Sequence, residues 1–169
     1  MALIREEAPG DYDAVRALNR TAFGGDAEAL LVDGLRCDGA VVASLVAVEA
    51  DAIVGHILFS DLPIETGRST LHAVSLAPMA VMPEVQRQGI GSALVRRGLE
   101  LCRERGKRIV VVLGHPEYYP RFGFSALLAQ RLRGPYSGRA WMALELVPAS
   151  LEGVTGTVRY PRAFDIFPA

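Results

Sequence analysis

The sequence contains few of the residues that form metal sites and disulfide bonds. Its 169 residues include only 2 cysteines and 3 histidines. Cys37 and Cys102 do not form a Cys-x-x-Cys pair, so we expect two free thiols in a reducing compartment. His56, His72 and His115 lack the spacing of zinc ligands, so we expect no metal site.

Long apolar runs and a strong excess of one charge are also missing. No stretch of about 18 apolar residues occurs, so no membrane span is expected. The N-terminus turns acidic at Glu6 and Glu7 before an apolar segment forms, which argues against a signal peptide. The formal net charge is −1, and basic residues are not interleaved with aromatic ones. The sequence therefore predicts neither a membrane nor a nucleic-acid partner and favours a cytoplasmic location.

Apolar residues are plentiful enough for one folded domain. They make up 50% of the chain, against 22% charged residues, which is typical of a globular protein rather than a disordered one. Pro78 interrupts one long apolar run, and proline there fits an edge, a bulge or a splay because it cannot donate to a sheet. The patterns predict an α/β (α+β) fold, with strands at 3–7, 41–49, 52–61, 71–81, 109–113 and 140–146 and helices at 11–23, 26–36 and 92–105.

One glycine-containing segment carries the strongest functional signal. Residues 86–91 read Gln-Arg-Gln-Gly-Ile-Gly and lie between an apolar run at 76–82 and the helix at 92–105. Glycines at a helix start let the backbone approach a ligand and leave several amide N–H groups free. These amides and the helix dipole favour a phosphate or pyrophosphate, and Arg87 adds a positive charge. We therefore predict a site for a phosphorylated cofactor.

The spacing of the glycines restricts which cofactor fits. A dinucleotide fingerprint requires a third glycine where this chain has Leu94, and no acid ends the strand at 109–113, which disfavours an NAD-dependent dehydrogenase. No Walker A string is present. Gln86, Gly89 and Gly91 instead fit Q/R-x-x-G-x-G/A, which resembles the acetyl-CoA motif of the GNAT superfamily of N-acetyltransferases.

A second motif strengthens this resemblance. Tyr119 stands four residues before the pair Gly123 and Phe124, as a tyrosine commonly does in GNAT enzymes. The form Tyr-Tyr-x-x-Phe-Gly-Phe, which begins at Tyr118, resembles the YhbS-like bacterial subgroup. The resemblance implies that Tyr119 protonates the departing CoA thiolate, since a phenol within hydrogen-bond reach assists such a leaving group.

The resemblance also implies an architecture and a cofactor site. Residues 1–169 are expected to form a single acetyltransferase domain, with a mixed central sheet of about six or seven strands, helices on both faces and a splay between strands 4 and 5. The acyl-pantetheine arm enters that splay in the family, and Pro78 is compatible with it. Acetyl-CoA is the expected co-substrate, without a metal. The residues implied to bind it are Met79 and Val81 for the pantetheine arm and Arg87, Gln88, Gly89, Ile90, Gly91 and Ser92 for the pyrophosphate.

We expect acetyl transfer to a primary amine by direct attack, with the base left open. His115 stands where the family usually contacts cofactor or substrate, and an imidazole is suited to proton shuttling. A loop histidine that caps a backbone carbonyl explains it equally well. Glu28 and Glu84 are weaker candidates for the base, and Phe59 and Tyr12 are candidates for the acceptor pocket.

Two further questions stay open at the level of sequence. The strand at 110–112 is entirely valine, which leaves room for a non-catalytic acyl-CoA-binding or regulatory module on the same fold. The amine acceptor cannot be read from the residues. A homodimer paired across the C-terminal segments is compatible with the sequence.

Overall fold

The computed structural model describes residues 1–168, which contain eight β-strands and three α-helices. The helices are α1 (Tyr12–Phe23), α2 (Ala27–Cys37) and α3 (Ile90–Glu104). The strands are β1 (Leu3–Glu6), β2 (Val41–Glu49), β3 (Ala52–Glu65), β4 (Thr70–Val81), β5 (Ile109–Leu113), β6 (Leu132–Arg133), β7 (Trp141–Glu145) and β8 (Gly156–Val158).

The strands form one mixed sheet, as the family resemblance implies. Its main path runs β1-β2-β3-β4-β5-β7, and the short strands β8 and β6 extend it beside β3. The β4–β5 and β6–β8 pairs are parallel, and the other pairs are antiparallel. β2 and β3 form a hairpin that turns at Ala50 and Asp51, whose φ angles of 49° and 63° suit the twist of a tight hairpin. The two short strands raise the count from the predicted six or seven to eight.

Helices cover both faces of the sheet, again as predicted. α1 and α2 pack through Val15, Leu31 and Leu35 on one face, and α3 packs through Leu94 and Cys102 on the other. β5 is buried on both faces, by α3 on one side and by the C-terminal segment on the other, which explains its unbroken apolar sequence. No helix within residues 1–168 combines the length and apolarity needed to cross a bilayer.

The predicted splay between β4 and β5 is present. The two strands pair only at Val74 with Val110 and at Ser75 with Val111. Beyond this point β4 continues to Val81, and no other strand within residues 1–168 pairs with that edge. β4 also carries one extra residue against β3, which places a bulge at Ala77–Pro78. A proline in the bulge costs no ladder hydrogen bond, and the divergence of the strands leaves a cleft through the sheet.

A buried polar network fixes α1 and α2 to the sheet. The fully buried His56 of β3 lies with Nε2 2.9 Å from the Ser44 hydroxyl and 3.3 Å from a Glu7 carboxylate oxygen. Its Nδ1 lies 3.4 Å from the Asn19 amide nitrogen of α1. Arg36 of α2 donates to both oxygens of Glu7 at 2.7–2.8 Å. Because a carboxylate only accepts, Nε2 of His56 carries its proton.

Candidate active site

A cavity of about 980 Å³ opens where β4 and β5 diverge. Its walls come from both faces of the sheet, so it passes through the gap between the strands. The start of α3 and the turn after β5 line one side. The end of α1, the start of α2 and the C-terminal aromatic residues line the other.

Backbone amides are left unpaired at the start of α3. The first hydrogen bond that closes the helix runs from the Ala93 N–H to the Gly89 carbonyl at 3.0 Å. Within residues 1–168, none of the N–H groups from 87 to 92 donates to a protein acceptor. Arg87 and Gly89 have φ angles of 63° and 90°, a left-handed geometry that turns successive amides into one concave seat. Such a seat at a positive helix end binds phosphate groups.

Glycine is suited to positions 89 and 91 for different structural reasons. A Cβ on Gly89 would meet nothing within 4 Å, so glycine serves the positive φ and leaves space in front of the amides. A Cβ on Gly91 would lie 3.3 Å from the Tyr118 hydroxyl oxygen and 3.6 Å from the Met79 Cε. Gly91 therefore allows the helix start to lie close to the cleft wall.

The strand edge in the cleft presents backbone groups as well. The Met82 N–H donates to Val54 of β3 at 2.8 Å, so the backbone groups of Val81 and Met79 point to the opposite edge, into the cleft. The Gln86 side chain donates to the Val81 carbonyl at 3.0 Å. This bond explains the glutamine of the motif, because it ties the loop before α3 to the end of β4.

The structure brings together all but one of the residues expected to bind the cofactor. Gln88 is exposed and does not border the cavity, and the Ile90 side chain is buried against Gly55, so that only its backbone is available there. The expected residues that border the cavity are Met79, Val81, Arg87, Gly89, Ile90, Gly91 and Ser92.

Tyr119 borders the same cavity from a short helical turn, Tyr119–Phe122. Its ring lies edge-on to Tyr118 and Phe124, with centroids 5.1 and 5.6 Å away. Gly114 makes room for it, because a Cβ there would lie 2.3 Å from the Tyr119 Cε2. Burial, with a smaller contribution from Tyr118, raises the pKa of Tyr119 to about 12. The phenol therefore stays protonated at neutral pH and is able to donate a hydrogen bond.

Tyr118 makes a contact that sequence reasoning missed. Its hydroxyl lies 3.1 Å from the Ser92 Oγ in the first turn of α3. The Arg121 guanidinium covers its ring at 4.6 Å from the centroid. This contact joins the turn that carries Tyr119 to the helix start that carries the free amides.

His115 also borders the cavity, with an exposed side chain. Its ring has no hydrogen-bond partner within residues 1–168, so it does not cap a carbonyl. Instead its own carbonyl accepts the N–H groups of Tyr118 and Tyr119 at 3.0 and 3.2 Å. The ring is therefore free to contact a bound molecule.

Of the remaining candidates for the base and the acceptor pocket, only one borders the cavity. Glu28 borders the cavity, whereas Glu84 does not. The predictions for Phe59 and Tyr12 are wrong. Phe59 is fully buried beneath α3, and the Tyr12 ring instead carries the Arg36 guanidinium at 3.8 Å. Within the described part of the chain, no three His, Cys, Asp or Glu side chains gather as a metal site.

A group of aromatic residues in the cavity wall was not foreseen. It lies on the face of the sheet that carries α1 and α2, and most of it comes from the C-terminal segment. That segment has no regular apolar period, so its high aromatic content is the only sequence feature that indicates a binding surface. The members are Phe23, Tyr136, Tyr160, Phe164 and Phe167.

Comparison with known proteins also indicates an acetyltransferase. The acetyltransferase (GNAT) domain family matches residues 4–127. The chain is 39% identical to the uncharacterized N-acetyltransferase YhbS of Escherichia coli strain K12 over 168 residues, 98% of this chain and 99% of that protein. It is 40% identical to the uncharacterized N-acetyltransferase YjhQ of the same strain over 116 residues, 68% of this chain and 64% of YjhQ.

Two solved structures resemble the whole fold. YhbS from Escherichia coli in complex with CoA superposes with a TM-score of 0.90 at 39% identity, covering 99% of this chain and 93% of that one. A GNAT family acetyltransferase from Brucella melitensis in complex with acetyl-CoA gives a TM-score of 0.80 at 35% identity, covering 98% and 99%.

Proposed function

Because this chain belongs to the GNAT acetyltransferase family, we propose that it transfers an acetyl group from acetyl-CoA to a primary amine. One observation carries the proposal: the segment 87–92, whose amides are unpaired and of which all residues but Gln88 border the cleft, and the protonated Tyr119 line the same cavity. The amides suit a diphosphate, and the backbone groups of Met79 and Val81 suit the amides of a pantetheine arm. The complexes of two relatives with CoA and acetyl-CoA support this choice of co-substrate.

The proposed reaction takes two protons from the acceptor ammonium and returns one to the CoA thiolate. The acceptor ammonium first loses one proton to solvent, because only the neutral amine has a lone pair for attack. The nitrogen then bonds to the thioester carbon while the carbon–sulfur bond breaks. The electron pair of the broken bond passes to sulfur. The nitrogen loses a second proton, and the CoA thiolate gains one. The products are an N-acetyl amide, CoA and one released proton.

We assign two side chains to these proton movements. Tyr119 donates its hydroxyl proton toward the departing sulfur, for which its protonated state at neutral pH is required. His115, with an exposed and unpartnered ring at the cleft, is proposed to pass the proton of the amine to solvent. The Val81 N–H, which faces the cleft, is proposed to stabilise the thioester oxygen as it gains charge.

A cytoplasmic location belongs to the same proposal. Cys37 is an exposed free thiol and Cys102 a buried one. An exposed free cysteine is typical of proteins from a reducing compartment.

The experiment combines calorimetry with an acetyl-transfer assay on a library of primary amines. Gly89→Val forces a branched side chain into a left-handed φ and into the space before the free amides, and we expect CoA affinity to fall by about 10-fold or more. Gly106→Val is the matched control, because Gly106 also has a positive φ of 79° and open space but lies at the far end of α3.

Two outcomes contradict the proposal. Equal CoA affinity in the wild type and the Gly89→Val variant contradicts the amide seat. Tight CoA binding without transfer to any amine supports the alternative of a non-catalytic acyl-CoA-binding module.

A further inference from the structure

The far side of the cleft has a chemical character of its own. We call it the aromatic chamber and define it by Phe23, Glu28, Tyr136, Tyr160, Phe164 and Phe167, all of which border the cavity. These residues come from α1, α2 and the C-terminal third of the chain. They lie on the sheet face opposite α3, beyond the gap between β4 and β5.

The rings of the chamber are held by their neighbours. Tyr160 lies 4.7 Å from Phe164 and 5.6 Å from Tyr136, measured between ring centroids. Phe164 is buried against Leu31 of α2. Burial raises the pKa of Tyr160, and a hydrogen bond with Ser75 offsets part of this rise. The chamber is therefore a fixed aromatic surface, suited to a flat apolar group.

Glu28 is the charged group of this chamber. It is half-buried at the start of α2, and within residues 1–168 its carboxylate has no ion pair or hydrogen bond. The acids at the N-cap and in the middle of α2 are paired: Asp26 with Arg20 at 2.8 Å and Asp33 with Arg16 at 3.0 Å. The negative charge of Glu28 is therefore available to a molecule bound in the cavity.

The cations that border the cavity lie on the other side. Arg87 stands before α3, and Arg121 lies against Tyr118 and donates to its carbonyl at 2.9 Å. Among the described residues, no arginine or lysine lines the aromatic chamber. A carboxylate on the acceptor would find no partner there and would be repelled by Glu28, whereas an ammonium would be attracted by both Glu28 and the rings.

From these features we infer, on the basis of the acetyl transfer proposed above, that the acceptor is an arylalkylamine, with one ammonium group, an aromatic body and no carboxylate. Glu28 holds the ammonium, and the rings contact the body. After the amine loses a proton to solvent, its nitrogen bonds to the acetyl carbon as the carbon–sulfur bond breaks, and CoA leaves with the second proton. A polyamine fits less well, because a single carboxylate leaves its other ammonium groups unpaired.

The test compares three acceptors on the unmodified chain at saturating acetyl-CoA. Phenethylamine, phenylalanine and spermidine differ in the features that the chamber selects. We expect kcat/KM for phenethylamine to exceed the other two values by about 10-fold or more, as expected for one charge-assisted contact. A higher kcat/KM for phenylalanine or spermidine overturns the inference.

The second arm tests Glu28 directly. Glu28→Gln should raise the KM for phenethylamine about 10-fold and leave kcat within about 2-fold, because it removes one charged contact to the ammonium. The KM for p-anisidine, an arylamine that is neutral at pH 7, should not change. This difference separates ammonium binding from a structural role at the start of the helix. An unchanged KM for phenethylamine overturns the role of Glu28.

Failure of the proposed function gives a different result. In that case CoA binds, but the wild type acetylates neither the compared amines nor any member of the library of primary amines. Should Glu28→Gln not fold, Glu28→Asp keeps the charge at shorter reach and should raise the KM for phenethylamine by a smaller factor. Equal KM values in Glu28→Asp and the wild type, for both phenethylamine and p-anisidine, contradict the contact.

Discussion

At the scale of single residues, burial determines how Tyr119 behaves. A pKa of about 12 keeps its hydroxyl protonated well above neutral pH. A thiol has an ordinary pKa of about 8.5, so the phenol holds its proton more tightly than the CoA sulfur does. Tyr119 therefore stabilises the developing thiolate through a donated hydrogen bond, and its proton passes to sulfur only as the attacking nitrogen returns one to the phenol.

Tyr119→Phe tests this role without disturbing the packing. The variant keeps the ring against Phe124 and removes only the hydroxyl. We expect kcat to fall about 100-fold, in the range of general acid catalysis, with CoA affinity unchanged in calorimetry. Tyr12→Phe is the control, because the Tyr12 ring lies under Arg36 and away from the cleft. Equal kcat values for wild type and Tyr119→Phe contradict the role.

The pH profile checks the same residue in another way. Because the pKa of Tyr119 is raised to about 12, its ionisation should not reduce kcat between pH 7 and 10. A loss of kcat near the ordinary tyrosine pKa of about 10, absent from Tyr119→Phe, contradicts the burial of this phenol.

The residues that sequence reasoning identified are those whose role depends on local backbone geometry. Gly89 and Gly91 shape one turn, and Tyr119 stands at a fixed distance from Gly123. Tyr160 and Phe167 could not be identified in this way, because they reach the cleft only after the C-terminal segment folds onto α2. The Tyr118–Ser92 contact likewise depends on the relative position of two elements.

At the scale of elements, a glycine sets how closely α3 approaches the sheet. A Cβ on Gly98 would lie 2.3 Å from the Phe59 Cε2. Gly98→Ala should therefore lower the free energy of unfolding by about 1–3 kcal/mol, as overpacked cores do. Denaturant unfolding measures the change, with Gly67→Ala as the control, since a Cβ there would meet nothing within 4 Å. A Gly98→Ala variant as stable as wild type contradicts the close packing.

The network that joins α1 and α2 to the sheet predicts a pH-dependent stability. Burial lowers the pKa of His56 from its ordinary value of 6.5, so the folded protein favours the neutral ring. Burial raises the pKa of Glu7, but hydrogen bonds from His56 and Arg36 outweigh it, and the net pKa lies below 4.5. Both groups favour the deprotonated form in the folded state. Their contribution is complete above each ordinary pKa and is lost as the pH falls.

Melting temperatures between pH 8 and 4 test this network. We expect a plateau above about pH 6.5, a decline below it as His56 is protonated on unfolding, and a steeper decline near pH 4 through Glu7. His56→Gln should remove the first decline, whereas His72→Gln, at an exposed site, should keep it. A wild-type melting temperature that is constant from pH 7 to 5 contradicts this assignment.

Sequence periodicity was sufficient for the long elements and insufficient for the short ones. The helices and the strands β2, β4 and β5 lie within two residues of their expected positions, whereas β3 continues to Glu65, four residues beyond its expected end at Asp61. β6 has two residues and β8 three, and they are strands only because the edge of β3 is available to them. The family resemblance implied the splay and Pro78 was compatible with it, but the depth of the splay depends on where β5 leaves β4.

At the scale of the whole molecule, the gap in the sheet connects two chemically different sides. The α3 side presents free amides and arginines, which suit an anionic co-substrate. The α1/α2 side presents rings and the carboxylate of Glu28. The protein thus separates its two proposed substrates by charge, with Tyr119 and His115 bordering the cleft between them.

An NMR titration of the ¹⁵N-labelled protein tests the central claim most directly, with CoA in one series and pantetheine, which lacks the diphosphate, in the other. We predict that CoA shifts the amide resonances of residues 87–92 strongly and that pantetheine does not, while the Gly106 amide at the far end of α3 stays unchanged in both. CoA binding that leaves the resonances of 87–92 in place contradicts the account.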